Sequence, residues 1–278
     1  MNIKKLFISV AAAALAVSAA SAFDTLHFEP KGKVSTYTKT NYIVVSKFGE
    51  YYRSQAFKFV HIFNETGKET ETLSYDSQNT LVDKITFEYN AAGKRTAANF
   101  YDAKDVLMHR TETEYTSDGR ILSETEYNAT NVLTGKTIYT YENAKQTESY
   151  YDKDGVLMSR IISKLNANGK PEEVNEYFGD GSFEKKEAYT YNDAGNTSLI
   201  TVTTADDSSN EKIVYRYGKN GLVSEIQTYN MSNEITKREF YEYDDKGNVT
   251  ATKEYEVAKK FGETVNEIKA MTIYSYEY

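Results

Sequence analysis

The sequence predicts an all-β fold: antiparallel β-hairpin repeats, about sixteen repeat strands plus terminal strands, in one continuous sheet that curls into a superhelical or barrel-like wall. Three observations predict it. The first is a chain of positions at Phe63, Tyr75, Tyr89, Tyr101, Tyr115, Tyr127, Tyr141, Tyr151, Leu165, Tyr177, Tyr191, Thr203, Tyr217, Tyr229, Tyr243 and Tyr255, thirteen of them Tyr. Steps of 12 and 14 alternate, with one step of 10 after Tyr141, so the unit is 26 residues. Self-similarity at such a period marks a repeat architecture.

The second observation is the turn chemistry just after each tyrosine. Four residues on stands Gly67, Asn79, Gly93, Asp105, Gly119, Asn131 and so on to Gly247, and the residue directly after the tyrosine is usually Asn or Asp. Gly, then Asn and Asp, enter positive φ most cheaply. Asx first and Gly fourth is the chemistry of a type I turn closed by a left-handed residue, the usual three-residue hairpin loop. The tyrosine at n then faces n+6, which is Leu81, Leu107, Ile121, Leu133 or Leu157, an aromatic-aliphatic cross-strand pair. The third observation is parity. Every step is even, so a period-two strand is expected to place all these rings on one face and Lys84, Glu88, Arg110, Glu112, Glu114, Glu124, Glu126, Glu176, Arg216, Arg238 and Glu242 on the other, a charged and solvated surface. Cross-strand pairs contribute roughly 0.2 to 1 kcal/mol each, less than the entropy of ordering the chain. The tyrosine face is therefore expected inside a curled sheet, with an extended single layer as the second choice.

Taken in order, the chain opens with Lys4 and Lys5, an apolar run from Leu6 to Val17, and Ala20-Ser21-Ala22. Residues 1–22 read as a secretory signal peptide of bacterial style, since about 12 apolar residues fall short of the ~20 that span a bilayer. Residues 23–62 read as an N-terminal β cap of three strands, over 33–40, 42–46 and 56–63. The repeats occupy 63–255, with a shortened turn at Asn143 and Ala144 and a looser one from Ala205 to Asn210. Residues 256–278 supply a closing strand ending in Tyr274, Tyr276 and Tyr278.

Net charge is −8, or −10 without Lys4 and Lys5, which argues against nucleic acid as a partner. There is no cysteine, hence no disulfide and no thiol nucleophile.

The strings YEYDDKGNVT (Tyr241 to Thr250), YTYNDAGN (Tyr189 to Asn196) and YDKDGVLMSR (Tyr151 to Arg160) resemble the YD, or RHS-type, repeats of bacterial secreted and surface proteins. The resemblance covers about 180 residues. It implies strips of β-sheet that spiral into shells, and an association with carbohydrate and cell surfaces. The long toxin-carrying members wrap a cargo; this chain is too short for that role and its repeats rarely continue with the family's Gly-Arg-Leu.

Catalytic constellations are sparse. His27, His61 and His109 lack ligand or triad spacing and read as ordinary strand residues. Asp152-Lys153-Asp154-Gly155 and Gly179-Asp180-Gly181 read as turns, lacking the further carboxylates of a calcium site. No cofactor and no metal are expected. The candidate binding residues are the tyrosines Tyr89, Tyr101, Tyr115, Tyr127, Tyr141, Tyr177, Tyr191, Tyr217, Tyr229 and Tyr243, whose rings and hydroxyls would suit a glycan or an extended peptide.

The expected function is that of a non-catalytic exported bacterial protein, binding or scaffolding in the periplasm or at the cell surface, with peripheral membrane association left open. An outer-membrane β-barrel, suggested by the last strand, and a glycan-cleaving enzyme using two carboxylates are the alternatives.

Overall fold

The computed structural model describes residues 30–48, 50–260 and 262–278, so the signal-peptide reading and His27 lie outside the described residues. Those residues form eighteen strands and no helix. The strands are β1 (Thr36–Lys47), β2 (Glu50–Phe63), β3 (Glu69–Tyr75), β4 (Leu81–Tyr89), β5 (Arg95–Asp102), β6 (Leu107–Tyr115), β7 (Ile121–Asn128), β8 (Leu133–Glu142) and β9 (Lys145–Asp152). They continue as β10 (Leu157–Leu165), β11 (Pro171–Phe178), β12 (Phe183–Tyr191), β13 (Thr197–Thr204), β14 (Glu211–Tyr217), β15 (Val223–Asn230), β16 (Ile235–Tyr243), β17 (Val249–Lys260) and β18 (Glu263–Glu277). Each pairs antiparallel with its neighbour in sequence, and β18 returns to pair with β1, Thr36 opposite Glu277 through Ile43 opposite Ala270. The sheet is a closed up-and-down barrel. Closure removes the edges that an extended sheet or an open superhelix would leave unpaired.

The turns have the expected chemistry. All fourteen positions placed four residues after a tyrosine or its equivalent adopt positive φ, from Gly67 at 76° to Gly247 at 83°. In the loop after Tyr89, the Asn90 and Gly93 amides donate to the Lys94 and Asn90 carbonyls at 2.9 and 2.8 Å, and Asn90 Oδ1 accepts from the amides of Ala92 and Lys94. The short turn over Asn143 and Ala144 is two residues long, with Glu142 opposite Lys145. Instead of a three-stranded cap, residues 36–63 give two strands, because Asn41 stays in the ladder opposite Phe57 and Thr272.

One expectation is overturned: the tyrosines do not share a face. Tyr89 pairs with Arg95 as foreseen, but Glu88 pairs with Ala97, which leaves Thr96 as an extra residue on the returning strand. The same bulge recurs at Val82, Met108, Leu122, Thr134 and Met158, each seven residues after its tyrosine. A bulge shifts parity by one. An even step along the chain therefore becomes an odd step around the wall, and successive tyrosines point alternately in and out. The two-residue turn at Asn143 reverses parity by itself, since Tyr141 then faces Gln146.

Register and exposure identify the two faces. Among β4 to β6, Ile85, Ala98, Phe100 and His109 share one face, while Lys84, Tyr101 and Arg110 share the other. Among the repeat strands, exposed residues such as Glu88, Glu114, Arg160, Arg216 and Glu242 fall on the second, which is the outer face.

Close backbone approaches join ring neighbours alone. Eighteen strands at ~4.8 Å spacing and ~40° tilt would enclose a circle about 36 Å across at the backbone, wide enough for water. The packed apolar cluster of Ile85, Ala98 and Phe100, with Phe87 against it, is correspondingly small. Cohesion comes from the wall itself: ladder bonds, turn carboxamides, and cations over rings, such as Lys58 over Tyr75 at 4.3 Å and Arg120 over Tyr141 at 4.2 Å.

Candidate functional site

The inward face is the site the fold builds. Of the ten candidate tyrosines, Tyr89, Tyr115, Tyr141, Tyr191, Tyr217 and Tyr243 point inward and Tyr101, Tyr127, Tyr177 and Tyr229 point outward, as the registers require. Each inward ring closes a recurring stitch. Its hydroxyl donates to the carbonyl twenty residues earlier: Tyr89 to Glu69, Tyr115 to Arg95, Tyr141 to Ile121, Tyr191 to Pro171, Tyr217 to Thr197 and Tyr243 to Val223, at 2.5 to 2.9 Å. These six hydroxyls tie one hairpin to the next around one rim. The outward four stand over wall residues instead, with Lys84 5.1 Å from the Tyr101 ring and Tyr177 edge-on to Phe183.

A second inward set lies two residues before the first. Tyr139, Tyr189, Tyr215, Tyr241 and Tyr274 follow the same parity as Tyr141, Tyr191, Tyr217, Tyr243 and Tyr276. The signal in the sequence was the repeated Tyr-x-Tyr, which a count of single tyrosines passes over. These rings meet carboxylates. Tyr139, only 3% exposed, donates to Glu124 at 2.7 Å, and Tyr241 donates to Glu239 at 2.9 Å. Burial, and then the facing carboxylate, holds the Tyr139 and Tyr241 hydroxyls far above the usual phenol range. Burial pushes Tyr274 up to about 12.

Carboxylates concentrate on β7, β9, β11 and β12, where Glu124, Glu126, Glu148, Glu176 and Glu187 face inward. Lys185 answers Glu176 at 2.8 Å and Glu187 at 3.0 Å. Burial raises Glu148 to about 7, against a Gln146 hydrogen bond that lowers it, with Glu124 and Glu176 raising it further. Burial and then Glu124 raise Glu126 as well.

Two inward hydroxyls beside this group lack partners. Thr111 Oγ1, across the ladder from Glu126, and Ser163 Oγ, across from Gln146, sit on side chains 4% and 1% exposed with no hydrogen bond. Buried polar atoms are nearly always satisfied.

Elsewhere several polar groups are satisfied locally. His61 Nδ1 meets Glu69 Oε1 at 2.6 Å, and Thr72 donates to the same oxygen at 2.6 Å. Burial alone would raise Glu69; those two hydrogen bonds and Arg95 overcome it and hold the carboxyl low. Glu69 thus anchors both groups, with Thr72 Oγ1 also 3.3 Å from His61 Nδ1. His109 stacks on Phe100 at 4.1 Å, and burial lowers its pKa. Asp152 Oδ1 accepts the Asp154 and Val156 amides at 2.9 Å, and Asp180 Oδ1 accepts the Ser182 amide, so both suspected calcium loops use their carboxylates as turn anchors. Among the described residues no group of three or more His, Asp or Glu converges as a metal site.

No protein-family model matches the chain, and no curated protein does. Among solved structures the chain is similar to a porin-like protein from Bacteroides uniformis, at 11% identity and a TM-score of 0.49, over 89% of this chain and 99% of that one. It is also similar to the TcdB2-TccC3 toxin component, at 11% identity and a TM-score of 0.27, where 79% of this chain spans 15% of the other. A LolA superfamily protein from Nitrosomonas europaea gives 8% identity and a TM-score of 0.27 over 92% of this chain. At these levels of similarity the chain's own residues, not its neighbours, speak to function.

Proposed function

We propose that the protein is a non-catalytic, exported bacterial binding barrel that takes an extended, amine-bearing ligand, foremost a basic peptide, against its inner wall. The observation that carries this reading is the inward group on β7 to β12: several carboxylates with one lysine among them, two of the carboxylates raised in pKa, beside two buried hydroxyls with no hydrogen bond. A ligand ammonium would relieve the charge crowding. The tyrosines add flat faces for the ligand's apolar stems.

Export rests on the N-terminal signal, and the YD-type reading rests on the hairpin repeat with its Asx and Gly turns. The outer wall argues against a lipid-spanning barrel, which needs an outward apolar band. At mid-height it carries Lys84, Arg110, Glu112, Arg160, Lys186, Arg216 and Lys253.

Calorimetric titration of the mature chain at pH 8 with decalysine and with a neutral chitin oligosaccharide tests the reading. Decalysine should bind at micromolar concentration, weaken with salt, and weaken at least fivefold in Glu124→Gln/Glu148→Gln. Equal binding by the double variant, or preference for the neutral glycan, rejects the inner-wall carboxylates as the site.

A further inference from the structure

The two hairpins that flank the barrel's closure abandon the turn residues used elsewhere, and they carry the same tetrapeptide. Lys47-Phe48-Gly49-Glu50 joins β1 to β2, and Lys260-Phe261-Gly262-Glu263 joins β17 to β18. In both, the lysine pairs across the ladder with the glutamate. Because β18 pairs antiparallel with β1, the two tips stand side by side at the same rim.

Both tips rise beyond that rim. The last ladder partner of β2 on the β3 side is Lys58, opposite Tyr75, and Gln55 still donates to the Asp76 carbonyl of the next turn, which leaves residues 50–54 projecting; at ~3.3 Å per residue this is about 16 Å of strand. β17 likewise outruns β16 after Glu256.

Phe48 stands at φ 54° and is fully exposed, 104% of its reference area. Every other described residue at positive φ is Gly, Asn or Asp. A two-residue hairpin turn favours Asn or Gly there, and an aromatic residue is strained and buries nothing. Folding gives no reason for this choice. Directly behind the tip, Ile43, Val45, Tyr51 and Tyr52 are also exposed, a concentration of apolar and aromatic surface that a soluble wall does not need.

We infer that the paired tips seat the barrel, rim down, on a lipid bilayer, with the Phe48 ring at the acyl boundary and Tyr51 and Tyr52 at headgroup depth. Aromatic side chains with a polar tip favour that depth. The repetition of one tetrapeptide favours lipid over a protein partner. The two hairpins are not related by symmetry, so a protein would offer each a different surface, whereas a bilayer offers both the same one. Each tip also carries one lysine and one glutamate, so insertion rather than attraction to anionic headgroups supplies the binding.

Flotation of the mature chain with phosphatidylcholine vesicles, and with the same vesicles containing phosphatidylglycerol, tests this. The protein should float with both, at high as well as low salt. Phe48→Ser should weaken partitioning about tenfold, and Phe48→Ser/Phe261→Ser should abolish it, with the melting curve and decalysine binding unchanged because the tips lie outside the wall. Flotation with neither vesicle overturns the inference, as does flotation that the double variant keeps or that only phosphatidylglycerol and low salt permit. Since decalysine binding is read separately, failure here and failure of the inner-wall reading are distinguishable.

Discussion

At the scale of one residue, Glu148 shows what a crowded, desolvated stretch of inner wall costs. Its carboxyl titrates near 7, raised first by burial and then by Glu124 and Glu176, against about 4.3 in an unfolded chain. A raised acid favours the folded state while it holds its proton. That contribution is fully present below about pH 4, is lost as pH rises through 7, and leaves the ionised form a burden above it. Glu148→Gln should therefore stabilise the protein at pH 8 by about 1 to 2 kcal/mol; the full shift would imply about 3.7, before solvent screening. At pH 4 the gain should vanish. Urea denaturation at both values measures it, and an equal gain at both would assign the effect to packing rather than charge.

At the scale of the element, the hairpin was legible because turn chemistry is local. Asn90 and Gly93 announce a three-residue loop through their own side chains and φ values, and the loop forms with the bonds that chemistry requires. Gly119, at φ 85°, should not accept a branched side chain: Gly119→Val is expected to cost roughly 1 to 3 kcal/mol, whereas Asn131→Gly, at φ 62°, should be neutral within about 0.5 kcal/mol. Thermal melts of the two variants decide it, and equal losses would refute the turn assignment. The bulge was not legible. Thr96, Met108 and Leu122 share no residue type, and a bulge is a property of two strands in register, not of one segment. Parity read along one strand therefore placed Tyr101 and Tyr127 on the inner face when they belong outside. The inner carboxylates escaped notice for the same reason: Glu124 and Glu126 look like outer-wall residues until the bulge at Leu122 turns them in.

At the scale of the whole molecule, closure ties strand number to chain direction. An antiparallel ring needs an even count, so that β18 meets β1 head to tail, and the 26-residue unit supplies two strands at a time. Removing one unit should preserve both the parity and the closure. Deletion of residues 90–115 joins Tyr89 to Thr116, which opens a turn with the same bonding as Asn90, since the Thr116 amide and hydroxyl both engage Arg120. The product should be a folded sixteen-strand monomer with a narrower bore. Deletion of residues 270–278 is much shorter, yet it strips β18 of every residue that pairs with β1 and leaves two long edges bare. That chain should associate or precipitate. Size exclusion and circular dichroism separate the outcomes: a monomeric, fully β product from the nine-residue deletion would show that stability resides in the individual hairpins rather than in the closed ring, and a collapsed product from the 26-residue deletion would show that the ring does not re-close with one unit fewer.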